Sequence, residues 1–148
     1  MSSVADAIIS GARSESEVWA AALRDAPEWE PVFSTLAPDT FALGIETVYE
    51  AYLVHYGTPR LFAAPDADEA VLLGDYLYAH GLVRIAEAGG VEAVRVMAEL
   101  ISCCAALRAD GSAGDGAAWV AAARALGGEP GGDAVARALG LHSARVAP

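Results

Sequence analysis

A nearly continuous apolar run between Phe41 and Tyr56 constrains this chain more than any other stretch. Its apolar members are Phe41, Ala42, Leu43, Ile45, Val48, Tyr49, Ala51, Tyr52, Leu53, Val54 and Tyr56. With Asp39 as a good N-cap and Gly57 and Pro59 behind it, the run predicts a helix from about residue 39 to Tyr56. A helix that is apolar on nearly all sides is buried on all sides. We therefore predict a central helix around which other helices pack.

A second helix is predicted to begin at Asp66, because Asp66 and Glu69 form a pattern similar to a capping box. It should end near Ala88, in front of Gly89–Gly90. A third helix is predicted from Val91 to about Ala109, since its apolar residues recur at helical spacing.

Two glycines and one carboxylate inside the second helix need an explanation. Gly74 and Gly81 each weaken a helix by about 1 kcal/mol relative to alanine, so we expect another helix to cross close to them. Asp75 lies on an apolar side, with Leu72 and Leu82. A carboxylate among apolar residues needs a partner, so Asp75 is predicted to be a buried, hydrogen-bonded structural residue.

The remainder of the chain also has helical patterns and no strand pattern. Ser14 and Glu17 form a possible capping box for a helix before Pro27, and Asp133 should cap a last short helix ending at Gly140. We predict an all-α fold in a single helical domain. Its parts are N-terminal helices and a proline-rich connection (1–38), three central helices (39–109), and a loop with short C-terminal helices (110–148).

The formal charge of −11 excludes several partners. Such a chain repels phosphate backbones and anionic lipid surfaces, so we expect neither nucleic acid nor a membrane as a partner. No uncharged apolar run approaches the roughly 18 residues of a membrane-spanning helix. The first ten residues lack the basic start and apolar core of a signal peptide, so a cytoplasmic location is expected.

Residues 46–79 resemble the middle of the trans-polyprenyl diphosphate synthases. GDYLYA at Gly74–Ala79 matches the family's A-x-L-x-G-D-x-L-x-A helix, and Gly57-Thr58-Pro59 matches its G-x-P element at the usual separation. In this register the family's aspartate-rich motif falls on residues 46–50, and its twin arginines fall on His55 and Tyr56. The resemblance implies a helical bundle similar to the N-terminal half of an isoprenoid-synthase fold.

The groups that carry the family's chemistry are missing from these positions. The family ionises an allylic diphosphate with magnesium held by aspartates and with arginine and lysine nearby. Here the aspartate-rich motif reads Glu46-Thr47-Val48-Tyr49-Glu50, and the chain contains no lysine. No D-D-x-x-D motif follows Ala109. The resemblance therefore implies a protein without catalytic residues, and no metal ligands or cofactor are assigned.

Half a bundle would leave apolar helix faces uncovered, which favours a partner. We predict a small or regulatory subunit in isoprenoid diphosphate synthesis, either a homodimer or a heteromer with a full-length prenyl diphosphate synthase. One alternative is a separate module that binds an apolar or isoprenoid ligand. Another is a minimal enzyme that acts on an isoprenoid diphosphate with Mg²⁺, since Mg²⁺ needs only one or two carboxylates plus substrate phosphates.

Five residues are candidates for ligand binding under these alternatives. Glu46 and Glu50 are four residues apart on one helix face and could hold a cation with a diphosphate, although a residual polar pair at a cavity rim explains them as well. Tyr49 and Tyr52 could line a site for a prenyl chain, or simply pack in the core. Asp75 completes the set.

Overall fold

A computed structural model describes residues 2–146, and within this range the fold is all-α. The helices are α1 (Ser3–Glu15), α2 (Glu17–Ala21), α3 (Ala42–Tyr56), α4 (Ala67–Asp110), α5 (Asp115–Ala125) and α6 (Gly132–Arg145). Two 3₁₀ turns, Phe33–Leu36 and Asp39–Phe41, lie between α2 and α3. The predicted fold class is confirmed.

Helix α3 is the centre of the molecule, as its composition predicts. Ten consecutive residues of α3, from Gly44 to Leu53, are buried. One hydrophobic cluster joins α3 to α5, α6 and the second half of α4, and another joins it to α1, α2 and the start of α4. The sides of α3 are apolar because other helices pack against them.

Helix α4 crosses α3 at the glycines that the sequence indicates. A Cβ atom on Gly81 would lie 2.6 Å from Val48 Cγ2, and one on Gly44 would lie 2.5 Å from Ile85 Cδ1. At Gly74 the added atom would meet the imidazole of His55. The expected close crossing is confirmed, because the backbones of α3 and α4 approach each other at glycines, which have no side chain.

The predicted second and third helices form one 44-residue helix that bends at Gly90. Gly90 has φ 71° and ψ −161°, which no regular helix contains, yet the chain continues in a helix on both sides. The predicted break at Gly89–Gly90 is therefore confirmed as a kink between the two predicted helices, which follow each other without a loop.

Three helix ends differ from the prediction. Ser16 instead of Ser14 caps α2, Asp39 begins a 3₁₀ turn without a side-chain cap, and α6 continues past Gly140 to Arg145.

Candidate functional site

Glu46, Glu50 and Arg60 form an ion-pair cluster without solvent exposure. Arg60 Nη1 donates to Glu46 Oε1 at 2.5 Å, and its Nε donates to Glu50 Oε1 at 2.9 Å. The guanidinium also donates to the carbonyl oxygen of Glu30 at 2.8 Å. Its flat face lies 4.4 Å from the ring centre of Trp29. Arg60 is thus held in a fixed plane by hydrogen bonds and by an aromatic ring.

Backbone amides satisfy the oxygens that face away from Arg60. Glu46 Oε2 accepts from the amides of Val32 and Ser34 at 3.1 and 3.0 Å. Glu50 Oε2 accepts from the amides of Arg60 and Leu61 at 3.0 and 2.7 Å. Each carboxylate therefore ties α3 to a segment outside the α-helices: Glu46 holds Val32 and Ser34, and Glu50 holds residues 60–61.

Burial and charge act in opposite directions on the guanidinium. Desolvation alone would lower the pKa of Arg60, but Glu46 and Glu50 outweigh it and the pKa is raised. One guanidinium is thus shared by two carboxyl groups. Since every carboxylate oxygen already accepts a hydrogen bond, Glu46 and Glu50 are not placed to hold Mg²⁺ and a diphosphate. Their arrangement supports a structural role.

A second polar cluster surrounds Asp115 at the start of α5. Asp115 Oδ2 accepts from the Tyr52 hydroxyl at 2.6 Å, from Arg108 Nη2 at 2.8 Å and from His142 Nε2 at 3.0 Å. The Tyr49 hydroxyl reaches His142 Nδ1 at 2.7 Å. This Asp115 cluster connects α3, α4, α5 and α6 through one chain of hydrogen bonds.

The hydrogen bonds of the Asp115 cluster indicate which ring nitrogen of His142 carries the proton. Since Asp115 accepts from Nε2–H of His142, the other nitrogen of the neutral ring, Nδ1, accepts a hydrogen bond from the Tyr49 hydroxyl. Burial lowers the pKa of His142, and the Asp115 charge offsets only part of that effect. Burial would raise the pKa of Asp115, but the hydrogen bonds from Tyr52, His142 and Arg108 bring it down to about 2.

Tyr49 and Tyr52 therefore do not line an open cavity. Both rings are buried, and burial raises the pKa of each hydroxyl. The Tyr52 hydroxyl also accepts from Arg108 Nε at 3.0 Å. An Asp–His–Tyr chain resembles the geometry of a nucleophile with its base, but Tyr49 is 0% exposed and cannot reach a substrate. The cluster fixes four helices relative to one another.

Asp75 is the candidate that the structure places differently from the prediction. Its side chain is 66% exposed, and its Oδ1 lies 3.9 Å from His55 Nε2. The predicted buried, hydrogen-bonded role is wrong, because the apolar side of α4 that carries Asp75 faces solvent and not the core. This uncovered side belongs to the surface described next.

We call this surface the outer face of α4. Its exposed apolar residues are Val71, Leu72, Ala79, Val83 and Ala86, and Leu82 beside them is half-buried against the core. Val71, Leu72 and Val83 are 54, 60 and 53% exposed, and Val91 beyond the bend is 86% exposed. Four of the five large apolar side chains that are exposed among residues 2–146 thus lie on α4. Nothing within the described residues covers them.

An apolar groove of about 320 Å³ lies elsewhere, between α4 and α5. It is lined by Val96, Glu99, Leu100, Cys103, Ala118, Ala121, Ala122 and Ala125. No group of three or more potential metal ligands occurs within residues 2–146. In the same range no helix is long and apolar enough to cross a membrane.

Sequence reasoning found four of the residues in the polar clusters and missed the others. Glu46, Glu50, Tyr49 and Tyr52 were identified as polar or aromatic members of an apolar helix. Arg60, Asp115 and His142 carry no local signal, although a pair of buried carboxylates requires a cation and Arg60 is the first arginine after Glu50. Comparisons of this chain with known protein families, with curated proteins and with solved structures found no match. The resemblance to the prenyl synthases therefore stays a prediction.

Proposed function

We propose that this chain is a non-catalytic helical subunit that pairs the outer face of α4 with a helix of a partner protein. The observation that carries the proposal is the row of half-exposed side chains Val71, Leu72 and Val83 on a helix whose other side is packed. Soluble proteins rarely leave such a contiguous apolar face uncovered unless another molecule binds there.

The face has the spacing that helix pairing requires. Leu72, Ala79 and Ala86 are seven residues apart, and Asp75 and Leu82 occupy the intermediate positions. This is the a/d pattern of a helix that pairs along a seam. From Leu72 to Ala86 the seam is about 21 Å long, at 1.5 Å per residue.

The two polar clusters support a scaffold role. They hold α3, α5, α6 and the segment before α3 in fixed positions, and their polar atoms bond to one another. A rigid body behind α4 keeps its outer face preformed, which lowers the entropy lost on binding.

The resemblance in residues 46–79 indicates which partner to test first. The proposed partner is a full-length trans-polyprenyl diphosphate synthase, and the proposed role is to shape the cavity that limits product length. The two proteins should be co-expressed from one genome, with the tag on the synthase. We expect the chain to copurify and the product length to shift.

Matched variants locate the contact. Leu72→Glu with Val83→Glu places two charges on the outer face of α4 and should lower the copurified amount at least tenfold. Val18→Glu is the control, because Val18 on α2 is 49% exposed and lies off α4. Absence of copurification together with an unchanged product length would count against the proposal.

A second function, binding of an apolar ligand, is favoured by the groove between α4 and α5. Its volume of about 320 Å³ lies at the lower end of ligand sites. Native mass spectrometry should then show a copurifying ligand that Ala121→Arg removes. If the mass spectrum shows the protein without a copurifying ligand, the ligand-binding function is contradicted, and the proposal for the outer face of α4 is unaffected.

A further inference from the structure

We infer that the helix bound by the outer face of α4 is basic, with a lysine or arginine opposite Asp75. This inference rests on the proposed function and adds the chemistry of the partner. The seam is apolar except for Asp75, whose carboxylate is 66% exposed and stands between Leu72 and Ala79.

The charges beside the seam have one sign. The exposed charged side chains of residues 66–91 are Asp66, Asp68, Asp75 and Glu87. Arg84 points inward, where it donates to Thr47 Oγ1 at 2.8 Å and to the carbonyl oxygen of Ala7 at 3.3 Å. The outer face is therefore an apolar band with carboxylates at both ends and one in the middle.

Asp75 determines what can cover this band. A partner that buries the seam removes water from the carboxylate, and this is unfavourable unless a cation replaces the water. The neighbouring His55 lies 3.9 Å away, beyond hydrogen-bond distance, and its Nε2 is 3.2 Å from the carbonyl oxygen of Val71. A lysine or arginine on the incoming helix supplies the missing charge and fixes the register, as polar seam residues do in coiled coils.

The same charges disfavour the other occupants. A second copy of this chain would bring the same carboxylates to the seam, and each copy has a net charge of −11. An anionic lipid surface would be repelled for the same reason. A basic amphipathic helix is attracted from a distance as well, which accelerates association at low salt.

The test uses three designed 21-residue helical peptides that have leucine at the seam positions. They differ only at the residue opposite Asp75 and at two flanking sites, which are lysine, glutamine or glutamate. Binding is measured by fluorescence anisotropy at 50 and 300 mM salt. We expect the lysine peptide to bind at least tenfold tighter than the glutamate peptide, with the difference shrinking at the higher salt concentration.

Two variants with equal net charge separate a local effect from a general one. Asp75→Asn should reduce the lysine-over-glutamate preference about three- to fivefold. Asp133→Asn, at the exposed start of α6, should leave it unchanged. Leu72→Ser should weaken all three peptides alike, because it removes apolar contact and no charge.

Several results would overturn the inference. These are equal binding of the three peptides, no binding of any of them, equal effects of Asp75→Asn and Asp133→Asn, or a dimer in light scattering that Leu72→Ser dissociates. If the synthase copurifies through Leu72 and Val83 while the peptides show no preference, the proposed function stands and this inference fails. If the lysine peptide is preferred but no synthase binds, the proposed synthase partner is wrong, and the inference that the outer face of α4 binds a basic helix stands.

Discussion

Arg60 shows how one side chain holds three segments of this chain together. Its guanidinium bonds to Glu46 and Glu50 on α3 and to the backbone of residue 30, and it lies over Trp29. Removing one partner of such a buried cluster leaves the other charges unpaired in a medium of low polarity. The stability of the fold should therefore depend strongly on this residue.

The variant Arg60→Met tests this dependence. We expect it to lower the free energy of unfolding by about 3–5 kcal/mol, because two carboxylates lose their common cation. Urea denaturation at pH 7 measures the change. Arg137→Met is the control: Arg137 is 70% exposed and pairs with Glu30 at the surface, and its loss should change stability by at most about 0.5 kcal/mol. Equal effects of the two variants would contradict the account.

His142 gives the molecule a pH dependence of defined sign. Its pKa is lower in the folded chain than the unfolded value of about 6.5, so the unfolded chain binds more protons below that pH. Stability should therefore fall between pH 7 and pH 5, and fall again below pH 4, where the unfolded chain protonates Asp115 before the folded chain does.

Urea midpoints at pH 7.5, 6 and 5 check this dependence. His142→Asn should flatten the profile in that window, although His80 contributes in the same direction through its own lowered pKa. A variant with the slope of the wild type would show that His142 is not the group responsible.

Individual residues also show how far the sequence could predict the site. Glu46 and Glu50 stood out because carboxylates are rare in an apolar helix. Arg60 did not, since an arginine behind Pro59 has the same local sequence signal whether the loop turns inward or outward. Asp115 and His142 are 27 residues apart, and only the packing of α5 on α6 brings them to 3.0 Å.

Among the helices, the sequence patterns located α3 and α4 well, including the end of α3 at Tyr56 and the cap of α4 at Asp66. The bend at Gly90 was indicated by two glycines, but a glycine pair is compatible with both an end and a bend, and the packing of both halves of α4 decides between them. The side of α4 with Asp75 was misassigned because apolar residues lie on nearly all of its sides. Periodicity alone does not separate a core-facing side from a partner-facing one.

Two glycine-to-alanine substitutions, one in α4 and one in α6, should change the free energy of unfolding in opposite directions. Gly81→Ala places a methyl group 2.6 Å from Val48 Cγ2 and 3.1 Å from the Val48 amide, so we expect a loss of about 1–3 kcal/mol. Gly140→Ala meets nothing within 4 Å in α6 and should gain about 0.5–1 kcal/mol. Thermal unfolding of both variants tests the crossing. Similar shifts in both would contradict the close approach of α3 and α4.

The molecule as a whole combines an interior held by polar clusters with one uncovered surface, the outer face of α4. The polar clusters join α3 to the other packed elements, including α4 through Arg108, whereas the outer face of α4 is exposed. The net charge of the whole chain, −11, disfavours acidic partners. The proposed function depends on this division between scaffold and binding surface.

The most direct test maps the binding surface by NMR, for which a chain of 15.2 kDa is well suited. Amide chemical shifts of the ¹⁵N-labelled protein are followed during titration with the lysine peptide. We predict shifts concentrated in residues 68–91, with Leu72, Asp75 and Val83 among the largest. Shifts centred on the groove between α4 and α5, or no shifts at a saturating peptide concentration, would contradict the claim that the outer face of α4 is the binding surface.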